Sequence, residues 1–409
     1  FKYLKVKTKG QNEGEKLLEP KLRFKEFDDG YIKYKLSEVV DFYKGNILSK
    51  SDIIEGGKTP CILYGELYTK YSEITYKIFS FTNNSNSNLF YSKKNDILIP
   101  CSGETALDIS TSTCVLLNNI AIGGDLNVLR PKKQNGKYLS YLLSHKKRIE
   151  IAKYAQGDSI VHLYADKIRN INVYLPSYIE QEKIANLLSL LDKKIELQKR
   201  KIDALKIYKR GLLYKIFNKN TPNFKIKDIL ILGKSGGTPK STNPTYYNGK
   251  IPFLSITDMT SQGKYIKQTE KHISYEGLNN SSAWLLPINT LILSMYASYG
   301  LVSINKIELS TSQAMFNMIL KEDINIEYIY YYLNYLREIH FYDELVSTGT
   351  QSNLNADKVK NIPIYLPAKS EQDMISTLFN TFDKKIELEE NDLNNLTMFK
   401  KSLLQQMFI

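Results

Sequence analysis

The sequence predicts an α+β protein: two mixed α/β globules separated by two long helices that form an intramolecular antiparallel coiled coil with pseudo-twofold symmetry. Three observations carry this prediction. The hexapeptide DKKIEL stands at 192–197 and again at 383–388, and aligning 170–217 with 361–408 gives 20 identities in 48 positions, which marks an internal duplication. Both copies carry apolar residues at the alternating four and three spacing of a heptad seam. The two copies also carry opposite net charge.

Residues 1–19 are polar and predict a flexible arm. Residues 20–169 form the first globule, with short β-rich runs broken by Gly, Asn and Ser and closed by a Leu/Ile/Tyr-rich helical stretch, a pattern of mixed α and β structure. Residues 170–217 are the first repeat. Its seam reads Ile184, Leu188, Leu191, Ile195, Ile202, Leu205, Leu212 and Ile216, with Gln198 and Lys209 at the skipped positions. Residues 218–360 form the second globule. NDILIPCSG at 95–103 resembles NTLILSMYAS at 289–298, and GDSIVHLYADKI at 157–168 resembles GTQSNLNADKV at 349–359. Residues 361–409 are the second repeat, whose seam is Ile375, Phe379, Phe382, Ile386, Leu393, Leu396, Leu403 and Met407, interrupted by Glu389 and Lys400.

A helix over 180–217 is roughly 57 Å long at 1.5 Å per residue, more than one domain of ordinary size covers, so it needs a partner helix. Over 180–217 ten Lys or Arg stand against five Asp or Glu, whereas 371–408 has four against seven. Opposite signs favour pairing of these two helices with each other.

The chain of 409 residues has 42% hydrophobic and 24% charged residues, the balance of a soluble protein. No stretch approaches the roughly 18 apolar residues of a membrane span, and the opening FKYLKVKTKG lacks a signal-peptide centre, so a cytoplasmic protein with no membrane partner is expected. Cys61, Cys101 and Cys114 are odd in number and widely spaced, and His145, His162, His272 and His340 are scattered, which indicates neither a disulfide framework nor a metal site. A net charge of +13 suits a polyanionic partner and equally suits a Lys-rich proteome.

No catalytic motif stands out. GKS at 233–235 lacks the first glycine of a phosphate loop, since Asp228 occupies that place. NPTY at 243–246 has no glycine-rich cofactor loop before it and reads as a turn, and Glu66, Glu104 and Asp108 form no metal-nuclease pattern. Loops rich in Ser, Asn, Thr, Lys and Tyr recur in both globules in similar order. Such side chains can read base edges, and glycine lets backbone approach phosphate.

PKLRFKEF at 20–27, GGTPKSTNPTYYNGKIPFLSITDM at 236–259, STGTQSNLNADKVKNIPIYLP at 347–367, and IYLP or VYLP followed three residues later by EQ at both helix starts resemble the specificity subunits of Type I restriction-modification enzymes. The resemblance covers about 20–409. It implies that 20–169 and 218–360 are target recognition domains, each reading one half of a split double-stranded DNA site, and that the coiled coil separates them. It implies two methyltransferase subunits docked on the frame and restriction/translocase subunits joining for cleavage. The chain itself would be non-catalytic and carry no cofactor, with S-adenosylmethionine, ATP and Mg on the partner subunits. The DNA-reading candidates are Lys44, Asn46, Lys50, Tyr64, Ser102, Glu104, Asp158, Ser159 and His162 in the first domain. In the second they are Ser235, Gly236, Thr238, Ser241, Asn243, Tyr246, Tyr296, Ser298, Tyr299, Thr350 and Gln351. A structural adapter that recruits partners through its coiled coil is the alternative from another class.

Overall fold

The computed structural model describes residues 3–6, 18–157, 160–296, 298–346 and 353–409. The chain divides into two compact units, one formed by Phe1–Lys199 with Asn391–Ile409 and the other by Arg200–Glu390. Each unit therefore holds one globule and a piece of both long helices, Tyr178–Phe217 and Lys369–Gln406.

The first unit is built on a five-stranded sheet in the order Val40–Lys44, Leu126–Pro131, Ile97–Pro100, Thr113–Val115, Ile74–Thr75. All its pairs are antiparallel except the last, which is parallel. The run ILIP is buried at every position because the sheet is covered on both faces. Ile97 and Ile99 join a core with Tyr138 and Leu142, while Leu98 faces a second core with Ile62, Val115 and Val128. The first core also takes in Ile184 and Leu188 from the first long helix and Leu403, Met407 and Phe408 from the end of the chain.

The second unit repeats this order with different residues: Leu230–Ser235, Met315–Leu320, Leu291–Ser294, Val302–Asn305, Tyr265–Ile266, again with a parallel last pair. Leu291 and Leu293 face a core with Phe316, Tyr328, Phe217 and Phe379, and Ile292 faces another with Leu254 and Leu286. The weak correspondence between NDILIPCSG and NTLILSMYAS thus marks the same central strand in both units.

The repeated residues make repeated bonds. Gln181 accepts from the Asn135 backbone N–H at 3.0 Å and donates to the Pro176 carbonyl at 2.9 Å. Gln372 accepts from Asn325 N–H and donates to Pro367, both at 2.9 Å. Asn135 and Asn325 cap the helices Gly136–Tyr141 and Ile326–Glu338, so the EQ motif ties each long helix to the start of a globule helix.

The seam is real in both helices: every predicted seam position is buried or half-buried, including the four polar ones. Three of these four interruptions, Lys209, Glu389 and Lys400, are ion-paired. In the first unit the Lys400 ammonium lies 2.5 Å from Asp192 and 3.3 Å from Glu73, and the Tyr141 hydroxyl donates to Asp192. In the second, Lys209 bonds Asp383, and Tyr331 donates to Asp383 at 2.5 Å. Lys209 and Lys400 occupy matching places in the repeat, as do Asp192 and Asp383, which begin the two DKKIEL copies. In the second unit Lys201 pairs with Glu389 and Lys206 with Glu390, each at 2.6 Å. Lys201 and Lys206 thus meet Glu389 and Glu390, and Lys209, further along the first helix, meets Asp383, so the helices run antiparallel.

The expected flexible arm differs in one part. Leu4–Val6 pairs antiparallel with Leu22–Phe24, and Lys5 bonds Asp28. Alternating basic and apolar residues give this short piece a strand face that PKLRF can take up.

Candidate functional site

Both units gather three segments at the C-terminal end of their central strand, just after Ile97–Pro100 and Leu291–Ser294, and the same backbone bonds hold them. In the first unit Gly45 N–H donates to Leu126 at 2.9 Å, Cys101 N–H to Asp125 at 2.7 Å, and Leu163 N–H to Cys101 at 2.8 Å. In the second, Gly236 N–H donates to Met315 at 3.1 Å, Met295 N–H to Ala314 at 2.7 Å, and Leu354 N–H to Met295 at 3.0 Å. A fourth bond also recurs: Asn46 N–H to Ile122, and Gly237 N–H to Thr311. KGNILSK, which shares little sequence with KSGGTPK, therefore follows the same path.

In the first unit this end opens into a cleft of about 1090 Å³. The predicted residues Lys44, Asn46, Lys50, Tyr64 and Glu104 all line it, and all five are exposed. A neighbouring hollow of about 310 Å³ is lined by Lys44, Cys101, Asp125 and the exposed His162. Lys44 lies 3.9 Å from Asp125, and Lys70 lies 2.9 Å from the buried Glu66, which also accepts from Leu63 N–H and Ser80. Burial pushes the Cys101 thiol up to about 12, partly offset by Lys44, so it stays protonated and unreactive. Ser102 departs from expectation: it is buried, because it pairs with His162 in a two-residue ladder. Asp158 and Ser159 lie outside the described residues.

In the second unit Thr238, Ser241, Tyr296 and Ser298 are exposed, and Ser235, Asn243, Tyr246 and Tyr299 half-exposed. Thr238 donates to Gln313 at 2.5 Å, Tyr299 donates to Asp343 at 2.9 Å, and Asn243 accepts from Thr245 N–H at 3.1 Å. Thr350 and Gln351 lie outside the described residues, just before Leu354.

Gly236 also departs from its expected role of letting backbone approach phosphate. It is buried, and a Cβ there would stand 2.1 Å from the Thr311 carbonyl oxygen, so glycine is required by packing. Gly236→Ala is expected to lose about 1–3 kcal/mol in urea unfolding of the second unit. Gly211, inside the first long helix with nothing within 4 Å, should behave oppositely, and Gly211→Ala should gain about 0.5–1 kcal/mol.

Sequence reasoning missed Ile47, Tyr68, Lys70, Trp284 and Gln313. Trp284 donates to the Ser235 carbonyl at 3.2 Å and carries the Lys234 ammonium 4.6 Å above its ring. Its being the single tryptophan was the available signal; the others carried none.

Among the described residues no group of three or more His, Cys, Asp or Glu could hold a metal ion, and no helix is long and apolar enough to cross a membrane. Comparison with known proteins bears on the same two units. The chain is 28% identical over 186 residues to the Type I restriction enzyme MjaIX specificity subunit of Methanocaldococcus jannaschii, which covers 45% of this chain and 43% of that protein. It is 30% identical over 182 residues to the HindI specificity subunit of Haemophilus influenzae, covering 42% and 39%. In these two the chain thus spans under half of the relative's length. The MjaVIII specificity subunit of M. jannaschii aligns over 385 residues at 24% identity, covering 85% and 88%. In fold the chain is similar to the crystal structure of a Type I restriction-modification S subunit from M. genitalium, with a TM-score of 0.62, 17% identity, and 96% and 99% of the two chains covered. It is also similar to a chain solved in work on complex assembly and conformational transition of the Type I R-M system, with a TM-score of 0.60, 13% identity, and 93% and 97% covered. The family model for the Type I restriction modification DNA specificity domain matches twice, over 29–206 and 218–398. With one such domain on each unit, the chain belongs to the Type I restriction modification DNA specificity family.

Proposed function

We propose that this chain is the DNA-reading subunit of a Type I restriction-modification assembly, and that each unit recognises one half of a bipartite duplex site. Two methyltransferase subunits then modify adenine at that site, and restriction/translocase subunits cleave when present. S-adenosylmethionine, ATP and Mg act on those partners, and the chain contributes no catalytic group of its own. It works in the cytoplasm, beside the DNA it reads.

One observation supports this most: the two units share a hydrogen-bonded frame at the C-terminal end of the central strand and dress it with different exposed side chains. The first presents Lys44, Asn46, Lys50, Tyr64 and Glu104, and the second Thr238, Ser241, Tyr296 and Ser298. A constant frame with variable polar loops suits two different half-site sequences, because base edges are read by donor and acceptor placement. The excess of Lys and Arg supplies the phosphate attraction.

The test is fluorescence anisotropy of the full chain with labelled duplex DNA at increasing KCl. If the chain neutralises about six phosphates, log K should fall against log salt with a slope of about −5. An adapter protein would show no such binding.

A further inference from the structure

Within that reading, the geometry points to Ile47 as a specificity-determining residue: we propose that its side chain makes an apolar contact with the bases of the half-site read by the first unit. Ile47 has φ +59. A β-branched residue in the left-handed region is an outlier, whereas the Asn before it would be comfortable there. Such a conformation persists only when its surroundings over-determine it, and they do so here. Gly45 and Asn46 donate to Leu126 and Ile122, Gly124 N–H donates to the Leu48 carbonyl at 3.0 Å, and the Asn46 amide donates to Asn88 at 3.3 Å. Leu48 is 2% exposed in a core with Cys61, Leu63 and Leu89, while Ile47 is 43% exposed. The loop thus holds an apolar side chain rigidly outward, lining the cleft between Lys44, Asn46 and Lys50.

Solubility gives no reason to set a strained isoleucine among lysines. DNA does: apolar side chains pack on thymine methyl groups or wedge between base steps, while flanking cations hold the phosphates. In the second unit the matching backbone place belongs to the exposed Thr238, so this position varies between units as a reading position should.

Ile47→Gly separates folding from reading, because it removes the side chain and relieves the backbone together. The full-length variant should melt at or above the wild-type temperature. It should bind a duplex carrying the site mapped by adenine methylation about 10-fold more weakly, the size of one lost base contact, and a scrambled duplex as wild type does. Ile47→Leu should recover most of the loss. Wild-type discrimination between the two duplexes in Ile47→Gly would overturn this assignment alone. Failure of the wild-type chain to discriminate would overturn the DNA-reading proposal beneath it.

Discussion

Arg23→Ala should be the most damaging single substitution in the first unit, lowering its stability by about 3–5 kcal/mol. The Arg23 guanidinium makes two bonds to Glu180, at 2.9 and 2.8 Å, and the two side chains are 3% and 0% exposed. Tyr31 donates to the same carboxylate at 3.4 Å, and the guanidinium stands 5.3 Å from the Tyr31 ring. Burial alone would push the guanidinium down, but Glu180 outweighs it and raises it above its ordinary value. Removing Arg23 leaves a carboxylate sealed from water with no cation, and that uncompensated charge dominates the effect. Replacing both groups with apolar residues, Arg23→Met with Glu180→Leu, should recover much of the loss. Urea unfolding of the three variants checks this, and a double variant no better than Arg23→Ala would show that packing, not charge, holds the site. The second unit has no counterpart, since the matching Glu371 is exposed.

Lys400→Met should destabilise the first unit by about 3 kcal/mol at neutral pH, more than Lys209→Met destabilises the second. Lys400 serves two half-buried carboxylates, Glu73 and Asp192, whereas Lys209 is more exposed and bonds Asp383. Burial would raise the Glu73 carboxyl, but His145 and Lys400 outweigh it and hold the carboxyl down at about 2. A carboxyl lowered in the folded state contributes stability above its unfolded value, here 4.5, and that stability is lost as pH falls towards 2. Asp192 runs the other way. Burial holds it above its ordinary 3.8 despite Lys400, so folding there strengthens slightly as pH falls to that value. Below 3.8 only Glu73 still changes. The gap between wild type and Lys400→Met should therefore narrow as unfolding is followed from pH 4 to pH 3. A constant gap would contradict the assignment.

Much of the frame was legible in the sequence because duplication makes its own comparison. The heptad seam corresponds to buried and half-buried positions in both helices, and the polar interruptions at Lys209 and Lys400 and the EQ motif each correspond to a named bond made twice. The strands ILIP and LILS were legible as continuous apolar runs. What the interruptions bond to was not, because Glu73 and Asp192 lie far from Lys400 in sequence and only folding brings them together. Five site residues of the first unit converge on one cleft because their segments are all joined by backbone bonds to the stretch 122–126: Gly45 to Leu126, Asn46 to Ile122, Leu48 to Gly124, Ile62 to Gly123 and Cys101 to Asp125. Ser102 and Gly236 belonged to the right segments, but polarity and chain flexibility do not reveal which side of a loop is packed. Ile47 was invisible for the opposite reason: an isoleucine beside a leucine reads as core, and only the backbone dihedral shows that it is turned out.

The central claim is that one chain carries two reading units on a duplicated frame. Its most direct test is to co-express the chain with the methyltransferase subunit encoded beside it and map methylated adenines across the host genome. Two dissimilar half-sites, each with its own modified adenine and separated by one fixed gap of unspecified bases, are the predicted result. A single uninterrupted motif, or no modification that depends on this chain, would contradict it.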